Sequence, residues 1–314
     1  MHVLVPDNLS EAGLVMLAEA GLTYHAPGKM SRADVLAVIG EADGMIVRSG
    51  TKADAELLSK ATRLKTIVRA GVGVDNIDLA AAEQHNIVVM NTPQGNTIAT
   101  AELTLALMLA LARHIPQAQA SLHSGQWDRK SFTGTELRNK TLGVIGFGRV
   151  GQAVAKRAVA FDMKVVAYDP FINPFVGQSM GVEMVNAVTG IWSQADYITL
   201  HAVVTPETKH LINAESIAKM KSGVRIINAA RGALIDEAAL AAAIQSGKVA
   251  GAAVDVYSEE PPPADHPLIG LSGVVHTPHL GASTDEAQED VATEAAQKII
   301  DALLHQRYND VVKK

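Results

Sequence analysis

Glycines at Gly146, Gly148 and Gly151 follow the apolar run Thr141 to Ile145, precede a helical stretch over 150–159, and are followed eighteen positions later by an acid, Asp169. This spacing suits a dinucleotide. The first glycine permits a tight turn, the second lets the backbone approach a pyrophosphate, and the third lets the helix pack closely on its strand, so that the helix N-terminus faces the phosphates. Asp169 ends a second apolar run, Lys164 to Tyr168. A carboxylate there accepts from a free ribose 2′-hydroxyl and repels a 2′-phosphate, so the expected cofactor is NAD rather than NADP.

Other chemistry-bearing residues recur just after apolar runs, the edge where open α/β sheets bind ligands. Arg48 follows Met45-Ile46-Val47, Arg69 follows Thr66-Ile67-Val68 and opens the loop Ala70-Gly71-Val72-Gly73-Val74-Asp75-Asn76, and the stretch 91–96, ending at Asn96, follows Val88-Val89-Met90. Guanidinium forks and glycine-freed amides suit a small carboxylate or phosphate. Further along, Arg231 follows Ile226-Ile227-Asn228-Ala229-Ala230, Asp255 follows Ala252-Ala253-Val254, Glu260 lies five positions on, and His279 follows Val275-His276-Thr277-Pro278. Hydride transfer from a secondary alcohol needs a base for the hydroxyl proton and a cation that holds and polarises the reacting group. An imidazole, titrating near about 6.5 when unperturbed, suits the first role. His279 is the expected base, Glu260 the carboxylate that fixes its tautomer, and Arg231 the cation. His201, also at a strand end, is the rival base. Taken singly, each arginine also fits a solvated strand-end charge and each histidine a structural role. Asp236 reads as a helix N-cap, and Asp285-Glu286 and Glu289-Asp290 as the first turns of the last helix. No metal site is expected, because the histidines lack ligand spacing.

These residues need a scaffold of strand ends. Apolar runs at 2–5, 44–47, 66–68 and 87–89 alternate with helical patterns, and a second series lies near 142–145, 165–168, 197–200, 224–228, 250–254 and 274–276. The alternation predicts an α/β chain of two doubly wound parallel-sheet, Rossmann-like domains with a cleft between them. A final helix over about 284–305 follows the last strand of the second series and can cross back to the first domain, which local pattern alone leaves open. Residues 98–112 are apolar on nearly every face but carry Glu102 and fall short of the roughly 20 residues needed to span a bilayer. They read as a hinge or subunit-interface helix, or equally as an ordinary core helix.

The chain has 314 residues, 48% of them hydrophobic, which is enough for about two domains. Its formal charge of −6 and lack of a long basic run argue against a nucleic-acid partner. It has no cysteine, so disulfides, thiol nucleophiles and thiolate metal sites are excluded. The N-terminus lacks the features of a secretory signal, so neither export nor a membrane partner is expected, and the expected location is cytoplasmic.

Together, Gly143-Val144-Ile145-Gly146-Phe147-Gly148-Arg149-Val150-Gly151, Asn228-Ala229-Ala230-Arg231-Gly232, Asp255-Val256-Tyr257 with Glu259-Glu260-Pro261, and Pro278-His279-Leu280-Gly281 resemble the NAD-dependent D-2-hydroxyacid dehydrogenases over essentially the whole chain. Arg69 through Asn76, Asn91-Thr92-Pro93 with Gly95-Asn96, and His279 through Thr284 are most similar to the D-3-phosphoglycerate dehydrogenase branch. The resemblance implies Arg231, Glu260 and His279 as the catalytic set. It implies NAD contacts from Val72, Gly146, Gly148, Arg149, Val150, Gly151, Asp169, Ala202, Ala229, Ala230, Asp255, His279 and Gly281. Substrate contacts are implied for Arg48, Arg69, Val72, Gly73, Asn96 and Arg231. The implied substrate is a phosphorylated 2-hydroxy acid, D-3-phosphoglycerate, oxidised to 3-phosphohydroxypyruvate for L-serine biosynthesis. Residues 1–96 with 284–314 form the implied substrate-binding domain and 97–283 the NAD-binding domain, in a homodimer or higher homo-oligomer built around the helix from Thr97, with Arg129 or Lys130 lent by a partner subunit.

Family members usually carry a proline two residues after the histidine where this chain reads His201-Ala202-Val203-Val204-Thr205-Pro206. The chain also stops soon after the final helix, so it is expected to be a short form without a regulatory domain. Two rival readings stand beside this one: another 2-hydroxyacid enzyme, acting on glyoxylate or hydroxypyruvate with the same machinery, and an NAD-sensing interaction protein of corepressor type.

Overall fold

The computed structural model describes residues 1–313 and divides into two units, Met1–Thr97 with the stretch from Ala282 onward, and Ile98–Gly281. In the first unit, β1 (His2–Leu4), β2 (Thr23–His25), β3 (Gly44–Val47), β4 (Thr66–Arg69) and β5 (Val88–Asn91) form a parallel sheet in the order β2-β1-β3-β4-β5. Side chains alternate across a strand, so a sheet covered on both faces needs apolar residues at nearly every position. Leu4, Met45, Val47, Ile67 and Val89 face the helices Arg32–Val38, Ala55–Lys60 and Leu79–Gln84. Val3, Val5, Ile46, Val68 and Met90 face Glu11–Glu19 and the final helix, Asp285–His305. These last two helices approach closely, since a Cβ at Gly13 would lie 2.8 Å from the Ala292 carbonyl oxygen. The side chain of Thr284 accepts from the Ala287 amide and starts the final helix.

The second unit holds β6 (Thr141–Ile145), β7 (Lys164–Tyr168), β8 (Glu183–Met184), β9 (Tyr197–Leu200), β10 (Val224–Asn228), β11 (Val249–Val254) and β12 (Val274–His276), all pairs parallel, in the order β12-β11-β10-β9-β6-β7-β8. Ile145, Leu200, Ile226 and Val254 face one side, and Val144, Ile227 and Ala253 the other. On that second side Ala101, Leu105, Met108 and Leu111 of the helix Thr97–Ala112 complete the core. The helix thus buries one side in this core, as a core helix would, while Ile98 and Ala106 remain exposed. The next helix, Ile115–His123, has no buried residue. Among the described residues no single helix is long and apolar enough to cross a membrane; these two reach that length only as a pair bent by 63°.

β2 and β8 are strands that the apolar runs do not foreshadow. Thr23, Tyr24 and His25 are all exposed at a sheet edge, and β8 has only two residues, so neither needs the apolar pattern of a central strand.

Candidate active site

Each glycine of the fingerprint has a separate geometric reason. Gly146 has φ +88, and a Cβ there would lie 2.5 Å from the His201 carbonyl carbon. A Cβ at Gly151 would lie 2.1 Å from the Gly146 oxygen, so its absence lets the helix Arg149–Ala160 sit on β6. A Cβ at Gly148 would meet nothing within 4 Å. That open space, at a helix N-terminus with no side-chain cap, suits an approaching pyrophosphate. Strand order reverses between β9 and β6, the switch point at which doubly wound sheets bind nucleotides. Asp169, just after β7, accepts from the Phe147 and Phe171 amides at 2.8 and 2.9 Å, which fixes the carboxylate beside the glycine turn. The residues present fit NAD.

Arg231, Glu260 and His279 come together on the loops that follow β10, β11 and β12. His279 Nδ1 and Glu260 Oε2 are 2.6 Å apart, with the two side chains 42% and 37% exposed. Burial works against the Glu260 charge, but hydrogen bonds from His279 and the Tyr257 amide, with the Arg231 charge nearby, outweigh it and hold the carboxyl below its ordinary value. An ionised Glu260 only accepts, so Nδ1 carries the hydrogen and Nε2 keeps its lone pair. That is the tautomer a general base requires. Asn228 holds Arg231 by donating from Nδ2 to the Arg231 carbonyl, 2.8 Å, while its Oδ1 accepts from Ala230, 3.1 Å. Gly232 permits the approach of the two loops, because a Cβ there would fall 1.9 Å from the Tyr257 carbonyl carbon.

The His279 loop is wound around one carboxylate. Asp255 is 0% exposed and accepts from Thr277 Oγ1 at 2.6 Å, the Leu280 amide at 2.7 Å and the Gly281 amide at 2.9 Å. Its own carbonyl accepts from the His279 amide at 2.8 Å, and Thr100 Oγ1 donates to the Gly281 carbonyl at 3.0 Å. The resemblance gives Asp255 to the cofactor; here its hydrogen bonds go to its own chain. Ala202, Ala229 and Ala230 lie on the loops after β9 and β10. The rival base, His201, has Nε2 bound to Thr199 Oγ1 at 2.9 Å, and burial pushes its pKa down to about 4. A ring so weakly basic is poorly matched to neutral-pH proton transfer. In the loop that lacks the family's proline, Thr208 Oγ1 donates to the Val203 carbonyl and accepts from the Thr205 amide, both at 2.7 Å.

In the first unit, register sets Val47 against Arg69 and Arg69 against Asn91, so Arg48, the glycine loop and residues 91–96 share one sheet edge. The Arg69 guanidinium lies across Gly71, where φ is +142 and a Cβ would fall 1.5 Å from Nη1. Asn91 Nδ2 holds the Val72 carbonyl at 2.6 Å, and the Thr92 amide holds that of Gly71 at 3.0 Å. Arg48 Nε and Asn96 Oδ1 are buried without a hydrogen-bond partner. Sequence reasoning names Asn228, Thr277 and Asn91 only as parts of runs and motifs and does not name Thr100; the structure gives all four a positioning role.

Residues 105–281 match the family model described as the D-isomer specific 2-hydroxyacid dehydrogenase, NAD binding domain. The chain is 50% identical over 312 residues to a D-3-phosphoglycerate dehydrogenase of Methanocaldococcus jannaschii, covering 99% of this chain and 59% of that relative's length. Among solved structures, the TT0316 protein of Thermus thermophilus superposes with a TM-score of 0.90 at 38% identity, covering 99% of this chain and 100% of that one. A glyoxylate reductase of Paecilomyes thermophila does so with a TM-score of 0.88 at 30% identity, covering 99% and 98%. With the glycine turn, Asp169 and the Arg231, Glu260 and His279 cluster in one unit, the chain belongs to the D-isomer specific 2-hydroxyacid dehydrogenases and carries that family's NAD-binding domain.

Proposed function

We propose that the chain oxidises D-3-phosphoglycerate to 3-phosphohydroxypyruvate for L-serine biosynthesis, working in the cytoplasm as a homodimer or larger homo-oligomer. NAD supplies the hydride acceptor for the hydrogen on C2. His279 Nε2 takes the proton of the C2 hydroxyl, and Glu260 stabilises the imidazolium that results. Arg231 binds the substrate carboxylate and polarises the C2 oxygen. Arg48, Arg69, the Val72 and Gly73 amides and Asn96 bind the distal phosphate; two guanidinium groups beside freed amides suit a dianion better than a neutral hydroxymethyl group. The observation that carries this reading is the 2.6 Å bond between His279 and an ionised Glu260, beside Arg231. The relatives at 44–50% identity named D-3-phosphoglycerate dehydrogenase support the choice of acid. Association is supported by apolar residues left exposed around the surface helix, namely Ile115, Leu122 and Trp127, the last 80% exposed.

Steady-state oxidation of D-3-phosphoglycerate, compared with D-glycerate and D-lactate, and reduction of glyoxylate and hydroxypyruvate, test the substrate. The expected result is a kcat/KM highest for the phosphorylated acid by at least about 100-fold, the scale of one or two charge-assisted contacts. Equal or better turnover of the unphosphorylated acids would assign the chain to a glyoxylate or hydroxypyruvate enzyme instead. No turnover of any acid with intact NAD binding would favour a sensing role.

A further inference from the structure

The geometry points to Asp7 and Asn76 as the residues that position Arg48 for the substrate's distal anion. This rests on the proposed role of Arg48. In the first unit strand order reverses between β1 and β3, so the crevice at that switch point opens beyond the carboxyl ends of these two strands. Asp7 follows β1 and Arg48 follows β3. Asp7 is 7% exposed, its Oδ2 accepts from the Arg48 amide at 2.6 Å, and its Oδ1 accepts from Thr51 Oγ1 at 3.1 Å. Asn76 grips the same turn from its other side, with Nδ2 donating to the carbonyls of Arg48 at 2.7 Å and Thr51 at 2.6 Å. Its own carbonyl accepts from the Ala53 amide at 2.8 Å, which ties the clamp to the parallel bridge between Ala53 and Ile77. Gly50 completes the turn, since a Cβ there would fall 2.6 Å from Asp7 Oδ1.

Both backbone polar groups of Arg48 are thus bound, whereas in its guanidinium Nη1 donates to the Asn8 carbonyl at 3.3 Å and, among the described residues, Nε is buried without a partner. Burial disfavours the Arg48 charge, and Asp7 is the anion that opposes this effect. A clamp on the backbone with the side chain left for a ligand is the arrangement expected of an arginine held ready for an anion. Neither Asp7 nor Asn76 touches substrate in this proposal.

The test compares Asp7→Asn, Asn76→Ala and Arg48→Ala in steady-state oxidation of D-3-phosphoglycerate and of D-glycerate, with unfolding midpoints measured alongside. Asn76→Ala and Asp7→Asn are each expected to raise KM for the phosphorylated acid about tenfold, with kcat, the KM for NAD and D-glycerate kinetics within about twofold of the parent. Arg48→Ala should raise the same KM further. A KM change in Arg48→Ala alone would overturn the positioning role while sparing the role of Arg48. An unchanged KM in Arg48→Ala would overturn both. A fall in stability with no selective change in KM would reduce the clamp to a structural one and overturn the proposal.

Discussion

Glu260 decides which nitrogen of His279 carries the hydrogen, so its charge matters more than its size. Glu260→Gln keeps the shape and removes the obligate acceptor, and the family of tautomer-fixing carboxylates sets the expected fall in kcat at about 10²- to 10⁴-fold, with NAD affinity retained. Turnover by rapid mixing and NAD titration would check it; an unchanged kcat would remove Glu260 from the proposed reaction. His279 also sits in left-handed backbone, φ +57, a conformation that costs a non-glycine residue on the order of 1 kcal/mol unless its surroundings impose it. Asp255 imposes it. Asp255→Ala would strand the donors of Thr277, Leu280 and Gly281, and at about 1–3 kcal/mol for each buried group left unpaired, a loss of roughly 3 kcal/mol or more is expected in urea unfolding. Turnover should fall further than that stability loss explains, because the imidazole is released from its position.

At the scale of the element, the strand–turn–helix around β6 separates glycines needed for folding from one needed for binding. Gly151→Ala sets a Cβ 2.1 Å from the Gly146 oxygen, so it should push the helix off its strand and cost several kcal/mol, of the order of overpacking a core. Gly148→Ala meets nothing within 4 Å and sits at φ −70, so stability should change by less than about 1 kcal/mol while NAD affinity falls about tenfold or more. Thermal unfolding and NAD titration of the two variants distinguish these outcomes. The same element shows what the sequence could disclose. Strands covered on both faces, such as β6, β9 and β10, are written as apolar runs, and their ends carry the polar residues that the fold brings together, so the strand ends bearing Arg231, Glu260 and His279 are legible from the pattern, as is the glycine turn. The edge strands β2 and β8 are not, since β2 is exposed throughout and β8 is only two residues long. Nor is the Asp255 clamp, in which a carboxylate meets amides 25 and 26 positions away; no local pattern encodes that pairing. The final helix is amphipathic on its own terms, but only tertiary packing against Glu11–Glu19 decides which sheet it covers.

For the whole molecule, stability should depend on pH through the part-buried imidazoles of His201 and His276. Burial lowers His201 from 6.5 to about 4 and, with the neighbouring His266, lowers His276 as well. Between those values the unfolded chain binds more protons than the folded one, so the stabilisation is complete above pH 6.5 and is lost as pH falls toward about 4. Carboxylates such as Asp43, Asp196 and Glu260 act in the same direction only below their ordinary values of 3.8 to 4.5. The decline from pH 7 to pH 5 therefore reports the histidines, with His201 accounting for about 2 kcal/mol at pH 5. Urea midpoints across this range should fall less steeply for His201→Asn; parallel slopes would contradict the assignment. The proposed reaction depends on His279 accepting the proton. The most direct measurement is single-turnover reduction of NAD by D-3-phosphoglycerate in His279→Gln, with NAD affinity titrated in the same preparation. The expected result is a rate at least about 100-fold below the parent with NAD affinity changed by less than about twofold; a parental rate, with NAD still bound, would contradict it.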